Sequence, residues 1–323
     1  MRRRVLLLAL ALTPSVAVVP AWAQHPARIP VVGMLVTHAV ASDPGNALRT
    51  ALRPFGYEDG RNIRLEILTA QGQLDRLPGL ALELIRKNVD VIVCPNEVSV
   101  RAARQATRTI PIVMQGFFVD PVAAGLVDSF GRPGGNVTGI YTLSPELLSK
   151  RLELIMEALP AISLVALFQD PFFPAQIGEL NRAAESLGMR LELIEVRDPL
   201  DFEPAFKAAK RKKVGAVVLL GSPMWYVHRT RVSALALDAR LATVAMIDQA
   251  VEAGALMSYG QDLSEVWART AYYVDRLLKG AKPGDLPVEQ VSKLRLAVNL
   301  KTAKALGVNI PESILLRADE VIR

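Results

Sequence analysis

Residues 89–115 read VDVIVCPNEVSVRAARQATRTIPIVMQ. The apolar run 89–94 is short and rich in β-branched residues, 97–107 has helical spacing, and 110–115 returns to a β-rich run. A strand, a helix and a strand in succession predict a parallel sheet covered by helices. The same rhythm extends outward. Strands are expected at 30–36, 62–69 and 136–140, with helices near 45–55, 74–87 and 122–130. Leu77, Leu80, Ala81, Leu84 and Ile85 recur at three- and four-residue steps, so one face of that helix packs on the sheet.

Beyond Gly139 the alternation begins again. Strands are expected at 163–168, 190–196, 215–220 and 242–246, with helices at 145–158, 175–187, 202–212 and 226–239. Two sets of this size in a chain of 323 residues, 51% of them hydrophobic, imply two α/β lobes with Rossmann-like sheets. A helix at 262–279 and a late strand at 294–299 belong to different lobes if the chain crosses back and forth. Turn-rich stretches at 139–142, 254–260 and 283–290 are the expected hinges. The expected division is 24–139 plus 257–288 for the first lobe and 140–256 plus 289–323 for the second.

The amino terminus carries Arg2, Arg3 and Arg4, then the apolar run Val5 to Leu12, then Ala21-Trp22-Ala23. This is the outline of a signal peptide at 1–23, cleaved after Ala23 to release the chain into the periplasm. Pro14 and Pro20 interrupt the apolar stretch, which is shorter than the roughly 20 residues that span a bilayer, so an integral membrane protein is not expected. Removing the leader takes three of the 38 Lys+Arg and none of the 32 Asp+Glu, lowering the formal net charge from +6 to +3. So mild a balance does not call for nucleic acid; Lys210-Arg211-Lys212-Lys213 reads as a helix end whose cations complement the dipole. The single cysteine, Cys94, permits no internal disulfide.

Several segments carry a resemblance to a known family. They are 55–62 (FGYEDGRN), 75–78 (DRLP), Asp120-Pro121-Val122 with Gly125-Leu126-Val127, 132–139 (RPGGNVTG), 150–154 (KRLEL), 256–260 (LMSYG), 286–290 (LPVEQ), 299–303 (NLKTA) and 316–322 (LRADEVI). Across essentially the whole mature chain the sequence resembles the ABC transporter substrate-binding proteins, a family that includes tryptophan and tyrosine binders. The resemblance implies a type I periplasmic-binding fold with three hinge crossings, no enzymatic activity, no cofactor, and a monomer that passes a small molecule to a transporter permease.

Ligands of open α/β sheets sit outside the carboxyl ends of the strands. That rule selects Thr37 and His38, then Pro95 with Asn96, Glu97, Val98 and Ser99, then Gly116, Phe117, Phe118 and Asp120. In the second lobe it selects Gln169 and Asp170, then Ser222, Pro223, Met224 and Trp225, then Asp248 and Gln249. Tyr141 and Tyr259 fall at two of the expected hinges. Asn96 reads as a helix cap whose first turn can hold a carboxylate. Glu97 either serves that helix end or faces a ligand amine. Asp120-Pro121 reads as an ordinary helix start. His38 is a candidate hydrogen-bonding group or a plain loop residue. His25, His38, His228 and Cys94 match no metal spacing. The Gly131 to Gly139 segment lacks the Lys-Ser/Thr ending of a phosphate loop and precedes a strand.

Half of the 18 aromatic residues fall in or beside these loops: Phe117, Phe118, Tyr141, Phe168, Phe172, Phe173, Trp225, Tyr226 and Tyr259. A cleft lined this way suits an apolar or aromatic solute with one polar end. In the amino-acid binders of the resembling family an aspartate just after the first crossing receives the ligand ammonium. Here 139–143 reads GIYTL, with no acid, so the expected solute is a small carboxylate or amide. Its anionic end is expected at Asn96 to Ser99 and its body against Phe117, Trp225 and Tyr259. An aromatic amino acid is the alternative and would need Glu97, Asp170 or Asp248 as its acid. A regulator's sensing domain would need DNA-binding helices where the leader stands. A cleft enzyme using Cys94 or Asp170 finds no Ser-His-Asp or Cys-His order.

Overall fold

In the computed structural model the described residues are 28–38, 44–117, 120–142, 145–171, 177–291 and 293–323. The expected leader lies outside them. The first half of the chain runs β1 (Val31–Val36), α1 (Pro44–Leu52), β2 (Arg64–Thr69), α2 (Leu77–Arg86), β3 (Val91–Cys94), α3 (Glu97–Ala106), β4 (Ile112–Phe117) and β5 (Val137–Tyr141). There follow α4 (Pro145–Ala158), β6 (Leu164–Gln169), α5 (Ile177–Ser186), β7 (Arg190–Glu195), α6 (Phe202–Arg211), β8 (Ala216–Leu219), α7 (Pro223–Val227), α8 (Arg229–Asp238), β9 (Ala242–Ala245), α9 (Asp248–Glu252) and β10 (Met257–Gln261). The chain ends with α10 (Leu263–Leu278), β11 (Glu289–Gln290), β12 (Leu294–Asn299), α11 (Leu300–Leu306), α12 (Glu312–Leu315) and β13 (Glu320–Ile322).

Two sheets result, ordered β11-β5-β4-β3-β1-β2 and β13-β12-β10-β9-β8-β6-β7. The first is parallel throughout, and the second is parallel except where β10 meets β12. In each, the opening strand lies between the second and the third, so the order of winding reverses beside it. Such a reversal opens a crevice at the strands' carboxyl ends.

The pleat explains why these strands are apolar on both faces. In β1, Val31 and Leu35 enter the core under α2 and α3, while Val32, Met34 and Val36 enter the opposite core under α1 and α10. In β6, Val165 and Leu167 join the α4 and α5 side, and Ala166 and Phe168 the side of α6 and α8. A sheet covered on both faces needs continuous hydrophobic strands, and the sequence supplies them.

The chain crosses between lobes after β5, after β10 and after β11. Thus α10 packs on the first sheet, although the strands before and after it in sequence, apart from the two-residue β11, belong to the second. Three expectations need correction. Residues 257–261, assigned by sequence to the first lobe, form β10 in the second sheet; residues 289–290, assigned to the second, pair with β5 in the first, where 140–141 also lie. The turn-rich stretches at 139–142, 254–260 and 283–290 therefore mostly precede the crossings. Gly260 is not a bend: a Cβ there would stand 2.0 Å from the Met246 carbonyl oxygen, so the residue permits close strand approach. The helix expected at 122–130 is a single turn. Asp120 Oδ1 accepts from the Val122 and Ala123 amides at 2.8 and 3.2 Å, and Gly125, at φ +64°, ends the turn at once.

Candidate functional site

Each crevice is bridged by a side-chain hydrogen bond. In the first lobe, Asn96 caps α3, its Oδ1 accepting from the Ser99 amide at 3.1 Å, and its Nδ2 donates across the crevice to Thr37 Oγ1 at 3.0 Å. The reciprocal half of the capping box is present, with Ser99 Oγ also donating to the Asn96 carbonyl at 2.8 Å. In the second lobe, Ser222 caps α7, accepting from the Met224 amide at 3.1 Å and donating to Asp170 Oδ2 at 2.7 Å. Thr37 and Asp170 follow the opening strands of their sheets, and Asn96 and Ser222 begin the helices after the third.

His38 stands where the two crevices face each other. Its Nδ1 lies 3.2 Å from Thr37 Oγ1. Burial pushes its pKa below the usual histidine range, Asp170 of the opposite lobe pulls it up, and His228 pushes it down. His228, also lowered by burial and then by Arg231, packs edge-on against Phe202.

A cavity of about 950 Å³ lies between the lobes. From the first lobe it is lined by Thr37, His38, Asn96 and Gln115 at the strand ends, and by Asn46, Thr50, Trp267, Arg269 and Tyr272 of α1 and α10. From the second it is lined by residues 219–223, by Trp225 and Tyr226 of α7, and by Met246 and Ile247 after β9; Gln261 closes it at a crossing. Trp225 is held by aromatic packing, with ring centroids 5.7 Å from Phe202 and 6.4 Å from Phe168. Gln261 is fixed by the Thr142 hydroxyl, which donates to its Oε1 at 2.6 Å across two crossings.

Of the residues selected from sequence, Thr37, His38, Pro95, Asn96, Ser222, Pro223 and Trp225 therefore stand on the cavity wall. Others are engaged elsewhere. Glu97 accepts from Arg101 Nε at 2.7 Å along α3, Val98 packs on the first lobe's core, and Ser99 is closed into the capping box. Asp170 is buried behind Ser222, Met224 enters the second lobe's core, and Asp248 pairs with Arg295 at 3.1 Å. Tyr141 stacks on Phe130 at 4.8 Å and donates to Gln290 Oε1. Tyr259, expected against the ligand, lies two residues short of the end of β10 and packs instead on the core beneath that strand, on the same face as Met257. Gln169 is buried at the end of β6. Phe117 ends β4, opposite Tyr141 in the register. Phe118, Phe172 and Phe173 lie outside the described residues.

The sequence reading missed Gln115, Gln261 and the wall made by α1 and α10. The polar Gln115 closing the apolar run 110–115 was the available signal for that residue; Gln261 ends β10, a strand that the sequence reading took for a hinge. No local signal marks Trp267, Arg269 and Tyr272, since their place depends on which lobe α10 covers.

Among the described residues no helix is long and apolar enough to cross a membrane. A curated relative, the tyrosine-binding protein of Clostridioides difficile strain R20291, is 27% identical over 283 residues, covering 86% of this chain and 80% of the relative. A solved conserved domain protein from Vibrio cholerae is 29% identical, with a TM-score of 0.82 over 91% of this chain and all of that one. A Streptococcus ABC domain solved in complex with L-Trp is 24% identical, with a TM-score of 0.81 over 91% of this chain and 99% of that one. The model of the ABC transporter substrate binding protein family matches residues 29–322, with the two-lobed fold and the inter-lobe cavity inside that span, and the chain belongs to that family.

Proposed function

We propose that this protein binds a small carboxylate or amide with an apolar or aromatic body in the cavity between its lobes, and delivers it to an ABC importer from the extracytoplasmic side. The observation that carries this reading is the composition of the wall. Among the described residues lining the cavity there is no Asp or Glu, while the surface is dominated by Trp225, Tyr226, Trp267, Tyr272, Leu219, Leu220 and Met246. An ammonium enclosed there without a carboxylate would lose its hydration uncompensated, at a cost of several kcal/mol. A carboxylate or amide needs only donors and dipoles. Asn96, Thr37, His38 and Gln115 cluster at the strand ends of the first lobe to offer them.

The polar end then sits in the first lobe's crevice and the body lies against α7. This differs from the sequence expectation in two respects: Tyr259 packs in the core and not against the body, and the Ser99 amide is already bonded to Asn96, so the α3 terminus contributes fewer amides than a free helix end.

The second reading is a free aromatic amino acid, favoured by the relative named as a tyrosine binder and by the similar structure holding L-Trp. Glu97 and Asp248 are committed to Arg101 and Arg295, which leaves Asp170, behind Ser222, as the acid to meet the ammonium. Mass spectrometry of the small molecule released from gently purified protein separates the two. An acid or amide with an apolar body is expected; retained tyrosine, tryptophan or phenylalanine establishes the second reading. Amino-terminal sequencing of exported material, expected to begin at Gln24, tests the extracytoplasmic placement.

A further inference from the structure

Three residues on the cavity wall carry a buried polar atom with no hydrogen-bond partner among the described residues: Gln115 Nε2, Trp225 Nε1 and Arg269 Nε. All three atoms are N–H donors. An indole and a guanidinium can only donate, and the carboxamide of Gln115 offers its donor in the same place. Leaving a buried donor unpaired costs about 1–3 kcal/mol, so such groups in a folded protein call for a partner. Arg269 is partly satisfied, since another of its nitrogens pairs with Glu289 and its guanidinium lies 4.2 Å over the Tyr272 ring. Gln115 and Trp225 are different. They are 5% and 7% exposed, come from opposite lobes, and show no other hydrogen bond that would account for them.

We infer that Gln115 of the first lobe and Trp225 of the second are the specificity residues of the cavity, each donating to an acceptor oxygen of the solute. Together they select an acid or amide over a free ammonium. The inference rests on the proposed ligand class and deepens it. A solute gripped by one donor from each lobe satisfies both only when the lobes are together, which couples recognition to closure.

The test is calorimetry of the full mature chain with four probes of one skeleton: 3-phenylpropionate, 3-phenylpropionamide, phenethylamine and L-phenylalanine. Wild-type protein is expected to bind the acid and the amide and not the amine. Trp225→Phe keeps an aromatic ring among Phe168 and Phe202 and removes the N–H; Gln115→Leu keeps the volume and removes the amide. Each is expected to weaken the acid and the amide about tenfold, the effect of one lost hydrogen bond to a ligand oxygen. Gln115→Glu replaces donor by anion, and is expected to weaken the acid further and gain measurable binding of phenethylamine. That gain of function is not produced by misfolding. Acid and amide affinities within twofold of wild type in both Trp225→Phe and Gln115→Leu overturn the inference and leave the ligand class standing. Binding of L-phenylalanine alone by the wild type overturns the ligand class. The same variants titrated with L-phenylalanine then judge the two donors, a tenfold loss supporting them and no change overturning them. No binding of any probe by the wild type overturns both.

Discussion

Thr37 with Asn96 and Asp170 with Ser222 hold equivalent places in the two lobes, yet their chemistry differs. Each pair spans the crevice beside the opening strand, and each includes the cap of the helix after the third strand. In the first lobe the pair is neutral and locked by a reciprocal capping box on a ten-residue helix. In the second it contains a carboxylate, and the capped helix is five residues long, held by packing of Trp225 on Phe202 and Phe168. The same strand order thus yields one crevice edge built from hydrogen bonds and one built from aromatic contact. A fold fixes where a site lies; the residues at the strand ends fix what it recognises.

The sharpest way to break the comparison is to disturb the strand that leads out of each lobe. Gly139 in β5 and Gly260 in β10 both leave room for a neighbouring carbonyl, with a Cβ falling 2.2 Å from Met114 O and 2.0 Å from Met246 O respectively. Gly139 also has φ +131°, which side-chain-bearing residues rarely adopt. Gly139→Ala is expected to cost about 4 kcal/mol or more, with Gly260→Ala somewhat less because only the clash applies there. Urea unfolding of both variants checks the ranking; equal losses would show that backbone conformation adds nothing to the clash.

The crossings belong to neither lobe, and acid tests them. Burial by itself raises the pKa of Asp262, but Lys293 at 2.7 Å and the amide and hydroxyl of Ser264 outweigh it and hold the carboxyl at about 2. A depressed carboxyl stabilises the fold above its ordinary pKa near 4. That stabilisation, about 2 kcal/mol, is lost as pH falls from about 4 to about 2. Asp262→Asn is expected to remove this dependence in urea unfolding measured across that window. An unchanged pH profile would mean that the ion pair between the second and third crossings adds no net stability.

At the crevices the effects are smaller. Asn96→Ala removes a helix cap and the hydrogen bond to the Thr37 hydroxyl, for an expected loss of about 2 kcal/mol. Ser222→Ala removes the cap of a much shorter helix together with a hydrogen bond to the buried Asp170 carboxylate, for a comparable loss of about 2 kcal/mol. Thermal unfolding measures both, and a loss for Ser222 well above that for Asn96 would reverse the view that the second lobe's edge is held by packing. Smallest of all, Glu97→Gln breaks an exposed pair with Arg101 and is expected to change stability by less than about 0.5 kcal/mol and solute affinity not at all. An affinity loss in calorimetry would bring Glu97 back into the site.

The sequence by itself determined the two α/β sets, since strands covered on both faces must be apolar at every position and their helices must show a 3.6-residue period. β1, β3, β6 and β8 are read from such runs, and so is the capping role of Asn96, a local matter of one side chain and the amide three residues on. Tertiary structure alone decided the rest. Pairing across more than thirty residues places β10 beside β12 and carries α10 back to the first lobe, where Trp267, Arg269 and Tyr272 meet the second lobe's Tyr226 around one cavity. Strand alternation turns Tyr259 into the core, and burial isolates the donors of Gln115 and Trp225. Periodicity records which face of an element is apolar; it does not record which other element that face will meet.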